Sequence, residues 1–442
     1  MKKNILLLGA SNSRIPGGLQ AGLSQGYVNL YNLSIGGTDC VHKIYELHKE
    51  KNKDLILKSD LIILEVNLMD VTMSFMYKKI TFKVVKYIHY LYRELSFLKK
   101  KILILLLFDL RCINDNQNKS ANLITNIHEK LSIFYNFNLI NLHKRMITTR
   151  CFQFYTTFLD PYHLLSTIMF QLGQNIAKSI DKFIVSKTTD NQMDDIIFKV
   201  VSPVELLNNT KIRYVKDLIY DDEYVEIADD DLIYFPKRYF GYKILGIHTF
   251  FPMKKGISHL SMCTNYFSLI FRNSKKQIVK SFRIYNNFDW IYDDFIIDEE
   301  VMISYNKNNI QLTEVSNEVI VINNSPNTLS KACIVNFLLI QNDLKFIPTV
   351  KSSIFRYQYK YDFSYLIPPI EIYKEVIEEY ILKTNITNTS LTQQISYLKT
   401  FSTAKQRIQN QLSYKLGQAM IVNSKSFLGY VRMPFVLSYI KD

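Results

Sequence analysis

Lys3-Asn4-Ile5-Leu6-Leu7-Leu8-Gly9-Ala10-Ser11-Asn12-Ser13 decides the fold of the first part of the chain. Four apolar residues, Ile5–Leu8, run directly into a cluster of small and polar ones. The run is too short for the apolar core of a signal peptide, although Met1-Lys2-Lys3 imitates the start of one. A buried first strand that ends in a tight turn accounts for it. Further runs of strand length follow at Val28–Leu33, Leu61–Val66, Ile102–Phe108 and, more weakly, Phe137–Ile140. Segments with helical spacing lie between them, such as Val71–Leu98 and Ser120–Phe134. Strand–helix alternation predicts a parallel sheet covered by helices on both faces, and such sheets hold ligands at the carboxyl ends of their strands.

The notable polar residues fall at those strand ends. Ser11 follows the first strand, where small neighbours admit a substrate and helix-start amides can stabilise an oxyanion. Taken alone, Gly9–Ser13 also reads as a plain turn or a phosphate loop, although no GxGxxG is present. Asn32-Leu33-Ser34-Ile35-Gly36-Gly37-Thr38 ends the second strand and can offer a backbone N–H where a side chain would clash. Asp60–Asp70 carries the third strand and ends with Asn67, which can donate to an oxyanion or cap a helix. In Leu159-Asp160-Pro161-Tyr162-His163-Leu164, an Asp lies three residues before a His. That spacing lets the carboxylate orient an imidazole that deprotonates a serine.

Serine after strand one, glycine after strand two, Asn after strand three and DxxH near the domain end together resemble the four blocks of the SGNH (GDSL-type) hydrolases and acyltransferases. The resemblance covers about 40% of the chain. It implies a flavodoxin-like three-layer α/β/α domain over residues 1–185, with Ser11 as nucleophile, Asp160 and His163 as its activating pair, and Gly37 as an oxyanion donor, Gly36 being next in line. The third block departs from the family. An ungapped reading puts the family glycine on Asn67 and its oxyanion Asn on Met69, which cannot donate a hydrogen bond. Either Asn67 supplies the donor from two residues earlier, or only the Ser11 and Gly37 amides remain.

The texture changes after about residue 195. Short β-rich runs appear at Leu232–Phe235, Tyr242–Phe251, Tyr266–Phe271, Ile278–Ile284, Val301–Ser304, Val319–Ile322 and Cys333–Ile340, separated by turn signals. They predict a β-sandwich accessory domain over 195–349. Trp290, among Tyr285–Tyr292, fits a sugar-binding surface or sandwich core. The acidic clusters Asp221–Glu223 and Asp229–Asp231 lack a calcium-loop pattern and read as solvated loops.

Residues 350–442 are expected to form a helical, basic tail. Ser402–Ser424 reads as an amphipathic helix, and residues 401–442 hold six Lys/Arg against one Asp. A tail of this kind can rest on an anionic membrane surface or dock on its own protein. Ser413-Tyr414-Lys415-Leu416-Gly417, with Met433-Pro434-Phe435 beyond it, resembles a tail on bacterial capsule and lipooligosaccharide enzymes. That implies a cytoplasmic enzyme, peripheral on the inner membrane, acting on a surface glycan or its precursor.

Bulk composition sets the remaining bounds. The 442 residues carry a net charge of +14, which favours anionic partners, but no nucleic-acid motif accompanies it. Five dispersed cysteines form neither a disulfide framework nor a zinc site. No bound cofactor or metal is expected; an activated group donor such as acetyl-CoA would be a co-substrate. The expected activity is transfer of a small group, most simply acetyl, to a hydroxyl of a capsular or lipooligosaccharide sugar. Transfer of a phosphoryl-type or phosphoramidate group, deacetylation by a carbohydrate esterase, and non-catalytic glycan binding are the alternatives.

Overall fold

The computed structural model describes residues 2–77, 80–113, 118–152, 162–186, 195–207, 212–216, 221–228, 230–252, 258–317, 319–343, 359, 361–381, 383, 408–409 and 411–441. Two compact units are present, Met1–Ile370 and Glu371–Asp442.

The first unit opens with five parallel strands: β1 (Lys3–Leu8), β2 (Val28–Asn32), β3 (Leu61–Val66), β4 (Ile102–Leu106) and β5 (Asn138–Asn141). Their order is β2-β1-β3-β4-β5, the flavodoxin-like order, with the reversal of direction between β1 and β3. Among the described residues, eight helices connect and cover them: α1 (Leu19–Leu23), α2 (Cys40–His48), α3 (Lys53–Lys58), α4 (Leu68–Met76), α5 (Thr81–Phe97), α6 (Asn118–Phe134), α7 (Leu142–Thr148) and α8 (Ser166–Lys178). Alternation along each strand splits the core in two. Leu6, Leu8, Ile62, Leu64, Ile104 and Leu106 face α2, α5 and α6. Ile5, Leu7, Ile63, Leu103 and Leu105 face α1, α7 and α8. Ile5–Leu8 are wholly buried, and each such side chain contributes about 1.5–3 kcal/mol. The expected three-layer α/β/α arrangement is the observed one.

Two glycines set the entry to α8. A Cβ on Gly22 would lie 2.0 Å from the Phe170 carbonyl oxygen, and one on Gly173 would lie 2.6 Å from that of Leu19. Only glycine lets α1 and α8 approach so closely, and that approach brings residues 162–165 toward the loop after β1.

The β-rich part follows. One sheet runs β13 (Tyr285–Trp290), β10 (Lys243–Phe251), β16 (Ala332–Gln341), β8 (Asp221–Ile227) and β7 (Ile212–Lys216), with β6 (Ile197–Val201) also pairing β16. The other runs β15 (Glu314–Val315), β12 (Gln277–Arg283), β11 (Tyr266–Arg272), β14 (Met302–Tyr305) and β9 (Leu232–Ile233). A core including Ile244, Ile247, Phe267, Leu269, Phe271 and Phe337 joins them. Val319–Ile322 is not a strand; Ile320 and Ile322 lie partly exposed in a coil. β13, unforeseen as a strand, is where the two parts of the unit meet. Its Phe288 stacks on Tyr45 of α2 at 4.9 Å, and its Trp290 meets Tyr87 of α5 edge-on at 5.1 Å. Trp290 is 1% exposed, so it is core and not a sugar-binding surface.

In the second unit, Leu412–Asn423 and Phe427–Lys441 are helices. The consecutive residues Met420, Ile421 and Val422 are all exposed, as are Phe427, Leu428, Tyr430, Val431 and Phe435. Residues 402–407 and 410 of the expected amphipathic helix lie outside the described residues; over Leu412–Asn423, consecutive exposed apolar positions point in different directions and do not form a single stripe. Among the described residues, no helix is long and apolar enough to cross a membrane.

Candidate active site

The site lies at the carboxyl ends of β1, β2 and β3, beside the topological switch. Ser11 is half-buried in the turn that leaves β1. The residue that shapes this turn is Glu65, the one charged side chain in β3. Its Oε2 accepts from the amides of Ala10 (3.0 Å) and Ser13 (2.9 Å) and from the Ser13 hydroxyl (2.6 Å). Ser11 is thus spanned by two amides tied to one buried carboxylate. Gly9 is required here, since a Cβ would fall 2.1 Å from Ser13 Oγ and 2.7 Å from Glu65 Oε2. Asn32, at the end of β2, braces the same turn through its Nδ2, which donates to Ser13 O at 2.9 Å.

Asn12, 2% exposed, joins the serine turn to the segment before α8. Its Nδ2 donates to Tyr162 O (3.2 Å), and its Oδ1 accepts from Leu164 N (3.0 Å). Tyr162 and Leu164 are the two neighbours of His163, so the histidine backbone is pinned beside the serine turn from both sides. His163 itself is half-buried. Asp160 lies outside the described residues. A second brace comes from Arg111, after β4. Its guanidinium binds both carboxylate oxygens of Asp109, through Nε to Oδ1 (2.9 Å) and Nη2 to Oδ2 (2.6 Å). It also donates to Thr72 Oγ1 at 2.8 Å and to Leu68 O at 3.0 Å. The guanidinium lies 5.5 Å from the centre of the Tyr162 ring, a cation–π contact that holds the same segment.

The glycine loop after β2 forms the opposite wall. A Cβ on Gly36 would stand 4.0 Å from that of Ser11. Gly37 has φ +76°, in the left-handed region that glycine enters at no cost. Beneath it, Asp39 caps α2, accepting from Val41 N at 3.0 Å and from Trp290 Nε1 at 2.8 Å. Burial, with the nearby charge of Asp70, pushes the Asp39 carboxyl up to about 7. Asp70 goes the other way. Burial opposes its ionisation, but the hydrogen bond and charge of His128, 3.0 Å away, hold its carboxyl below the usual range. Donor atoms of Asp39, Cys40 and Asp70 lie within 4.8 Å of one another. Both carboxylates are engaged by protein donors, and burial raises the Cys40 thiol well above its usual value. The cluster therefore anchors the glycine loop to α2 rather than presenting open ligands.

Asn67 stands at the start of α4 with φ +76° and is fully buried. Its Nδ2 donates to Leu107 O and its Oδ1 accepts from Leu107 N, each at 3.0 Å. The amide clamps the ends of β3 and β4 together and does not point a donor at the serine turn. Met69 lies within α4. The side-chain donor expected of Asn67 is therefore spent on Leu107.

The acidic stretch Asp221–Glu223 lies in β8, where Asp222 pairs with Lys49 at 2.8 Å and with Lys51. These groups line a cleft of about 500 Å³ with Tyr214 and Asn336. The cleft begins beyond the far end of α2, whose nine residues span about 13 Å. Both of its lysines are spent on Asp222.

Glu65, Asn12, Arg111 and Arg283 brace the serine turn, the His163 segment and the glycine loop, and motif reading missed them. Glu65 had a legible signal, a lone carboxylate inside an otherwise apolar strand.

A family model described as a domain of unknown function (DUF8374) matches residues 340–442. No curated protein matches the chain. Among solved structures, the chain is similar to the acetyl xylan esterase AlAXEase, with 19% identity and a TM-score of 0.32 over 40% of this chain and 98% of that one. It is similar to a single-residue variant of Axe2, an acetyl xylan esterase from Geobacillus stearothermophilus, with 15% identity and a TM-score of 0.32 over 41% and 96%. A member of the lipolytic protein G-D-S-L family from Veillonella parvula shows 17% identity and a TM-score of 0.33 over 41% and 100%.

Proposed function

We propose that residues 1–185 form an SGNH-type acyl-transfer centre in which Ser11 is the nucleophile, His163 its base and Asp160 the group that orients the imidazole. The observation that carries this reading is Asn12, which follows Ser11 in the chain and hydrogen-bonds both neighbours of His163. Two residues about 150 positions apart are thereby held at one sheet edge, the arrangement a serine and its base require.

In the proposed reaction, His163 removes the Ser11 proton as Oγ attacks an acyl carbonyl. The amides of Ser11 and Gly37 receive the oxyanion. The leaving group departs with the proton from His163, and an acyl-enzyme remains. An incoming hydroxyl then gives its proton to His163 and takes the acyl group, and His163 passes that proton to the departing Ser11 Oγ, restoring the enzyme. Water as acceptor makes an esterase and a sugar hydroxyl makes an acyltransferase. We favour transfer of acetyl, from a donor such as acetyl-CoA, to a bacterial capsular or lipooligosaccharide sugar, on the strength of the tail sequence Ser413–Gly417.

Mass spectrometry of the surface glycan from cells carrying wild-type protein or Ser11→Ala tests this. Loss of one acetyl group from the variant's glycan is expected. A gained acetyl group makes the protein a deacetylating esterase. Identical glycans overturn Ser11 catalysis on glycan.

A further inference from the structure

The β-rich part does more than cover α2 and α5: two of its side chains reach the glycine loop. Arg283 ends β12, just before the chain crosses to β13 through Tyr285, whose φ is +72°. Arg283 is 8% exposed. Its Nε donates to Asn287 Oδ1 at 3.2 Å, and its Nη2 donates to the carbonyl oxygen of Gly36 at 2.7 Å. Asn317, after β15, donates to the Gly37 carbonyl at 3.5 Å.

The Gly36 carbonyl and the Gly37 N–H belong to one peptide group. That group is planar and trans, so the two bonds point in opposite directions, and holding the oxygen aims the N–H. Gly37 has no side chain to restrict it, and on its own the Gly36–Gly37 peptide would be among the freest in the loop. A cation on the carbonyl oxygen also polarises the peptide, and hydrogen bonds in such chains strengthen one another. Asn67 is committed to Leu107 and offers no side-chain donor. The catalytic burden then falls on backbone amides, whose direction matters correspondingly more.

We propose that Arg283 is a positioning residue for the reaction: it fixes and strengthens the Gly37 N–H as the oxyanion donor, so that the active site is completed by the β-rich part of the unit. This rests on the Ser11 acyl-transfer reading given above. Asn287 steers the guanidinium by holding Nε, and Asn317 supports the next peptide along.

The test uses the full-length protein and hydrolysis of 4-nitrophenyl acetate, with wild type, Ser11→Ala, Arg283→Met and Arg283→Gln compared by kcat, KM, pH–rate profile and thermal midpoint. Removing one oxyanion donor costs about 10²–10³ in kcat; misaiming one should cost Arg283→Met about 10²-fold. KM should stay within about twofold, and the pH–rate midpoint should not move, because His163 is untouched. Arg283→Gln keeps a donor without charge or full reach. It should lose about tenfold, and it decides the matter if the Met variant does not fold. A folded variant with wild-type kcat, or one in which only KM changes, overturns the proposal and leaves Ser11 catalysis standing. Wild-type turnover that is unaffected by Ser11→Ala overturns the underlying reading, and the proposal with it.

Discussion

The loops after β1 and β2 meet beside Ser11 but are held by opposite means. The serine turn is gripped from within its own sheet, by the anionic Glu65 collecting N–H and O–H donors. The glycine loop is gripped from outside the sheet, by the cationic Arg283 donating to a carbonyl. An acid holds the amides of one loop and a base holds a carbonyl of the other. The proposed nucleophile thus belongs to the parallel-sheet part alone, whereas the proposed oxyanion donor depends on residues some 250 positions further along. A sheet-edge serine can be built by one domain, but a glycine loop with no side chain at its tip has nothing of its own to hold it.

Substitutions at the two loops sharpen this contrast. Glu65→Ala should have the largest effect. It leaves three buried donors without their acceptor, at about 1–3 kcal/mol each. Chemical denaturation should show a loss of about 3 kcal/mol or more, with catalysis lost alongside. A stability change near zero would mean that the serine turn holds its shape without the acid. Gly37→Ala comes next. A side chain at φ +76° costs about 1–2 kcal/mol, and the strain falls on the peptide that Arg283 holds, so kcat should drop more than stability. Equal kcat would show that the Gly37 amide takes no part.

Acidification supplies a separate test. Burial lowers His89, His143 and His248 to about 4, so between the ordinary histidine value of about 6.5 and 4 the unfolded chain binds protons that the folded one refuses. Stability attributable to these groups is therefore lost as pH falls through that window. Asp39 works the other way, since its folded value of about 7 lies above the ordinary one. Its contribution is complete below about 4 and is lost as pH rises to 7. Three groups outweigh one, so the urea midpoint should fall from pH 6.5 to pH 4.5, and Asp39→Asn should steepen the fall. A midpoint that rises on acidification would contradict the burial of these histidines.

The parallel sheet was readable because β1, β3 and β4 carry near-continuous apolar runs bounded by turn residues, the pattern of a strand buried on both faces. Ser11 and His163 could be singled out as candidates because their spacing to strand and helix ends is local. In the β-rich part, β9 to β12, β14 and β16 were plain, but β6, β7, β8, β13 and β15 were not, and Asp221–Glu223 reads as a loop. In β13, Tyr285-Asn286-Asn287-Phe288-Asp289-Trp290 looks polar, yet five of its six residues are buried at the seam. The side-chain oxygens of Asn286 and Asn287 meet His248 and Arg283. Val319–Ile322 shows the reverse, a β-branched run left in coil. Asn67 looked like a donor because its sequence position allowed it, and only the Leu107 peptide across the sheet shows where its amide is spent. Arg283 left no trace in the sequence, because a residue 247 positions from Gly36 has no periodicity or motif to tie it there.

Trp290 is the single tryptophan of the chain. It is buried where the parallel-sheet part meets the β-rich part, and its indole N–H is bonded to Asp39. The protein therefore carries a built-in fluorophore whose entire signal comes from that seam. Its emission is a direct optical gauge of whether the two halves of the unit are docked, and titration of the Asp39 carboxyl near neutrality should register in the same spectrum without a label.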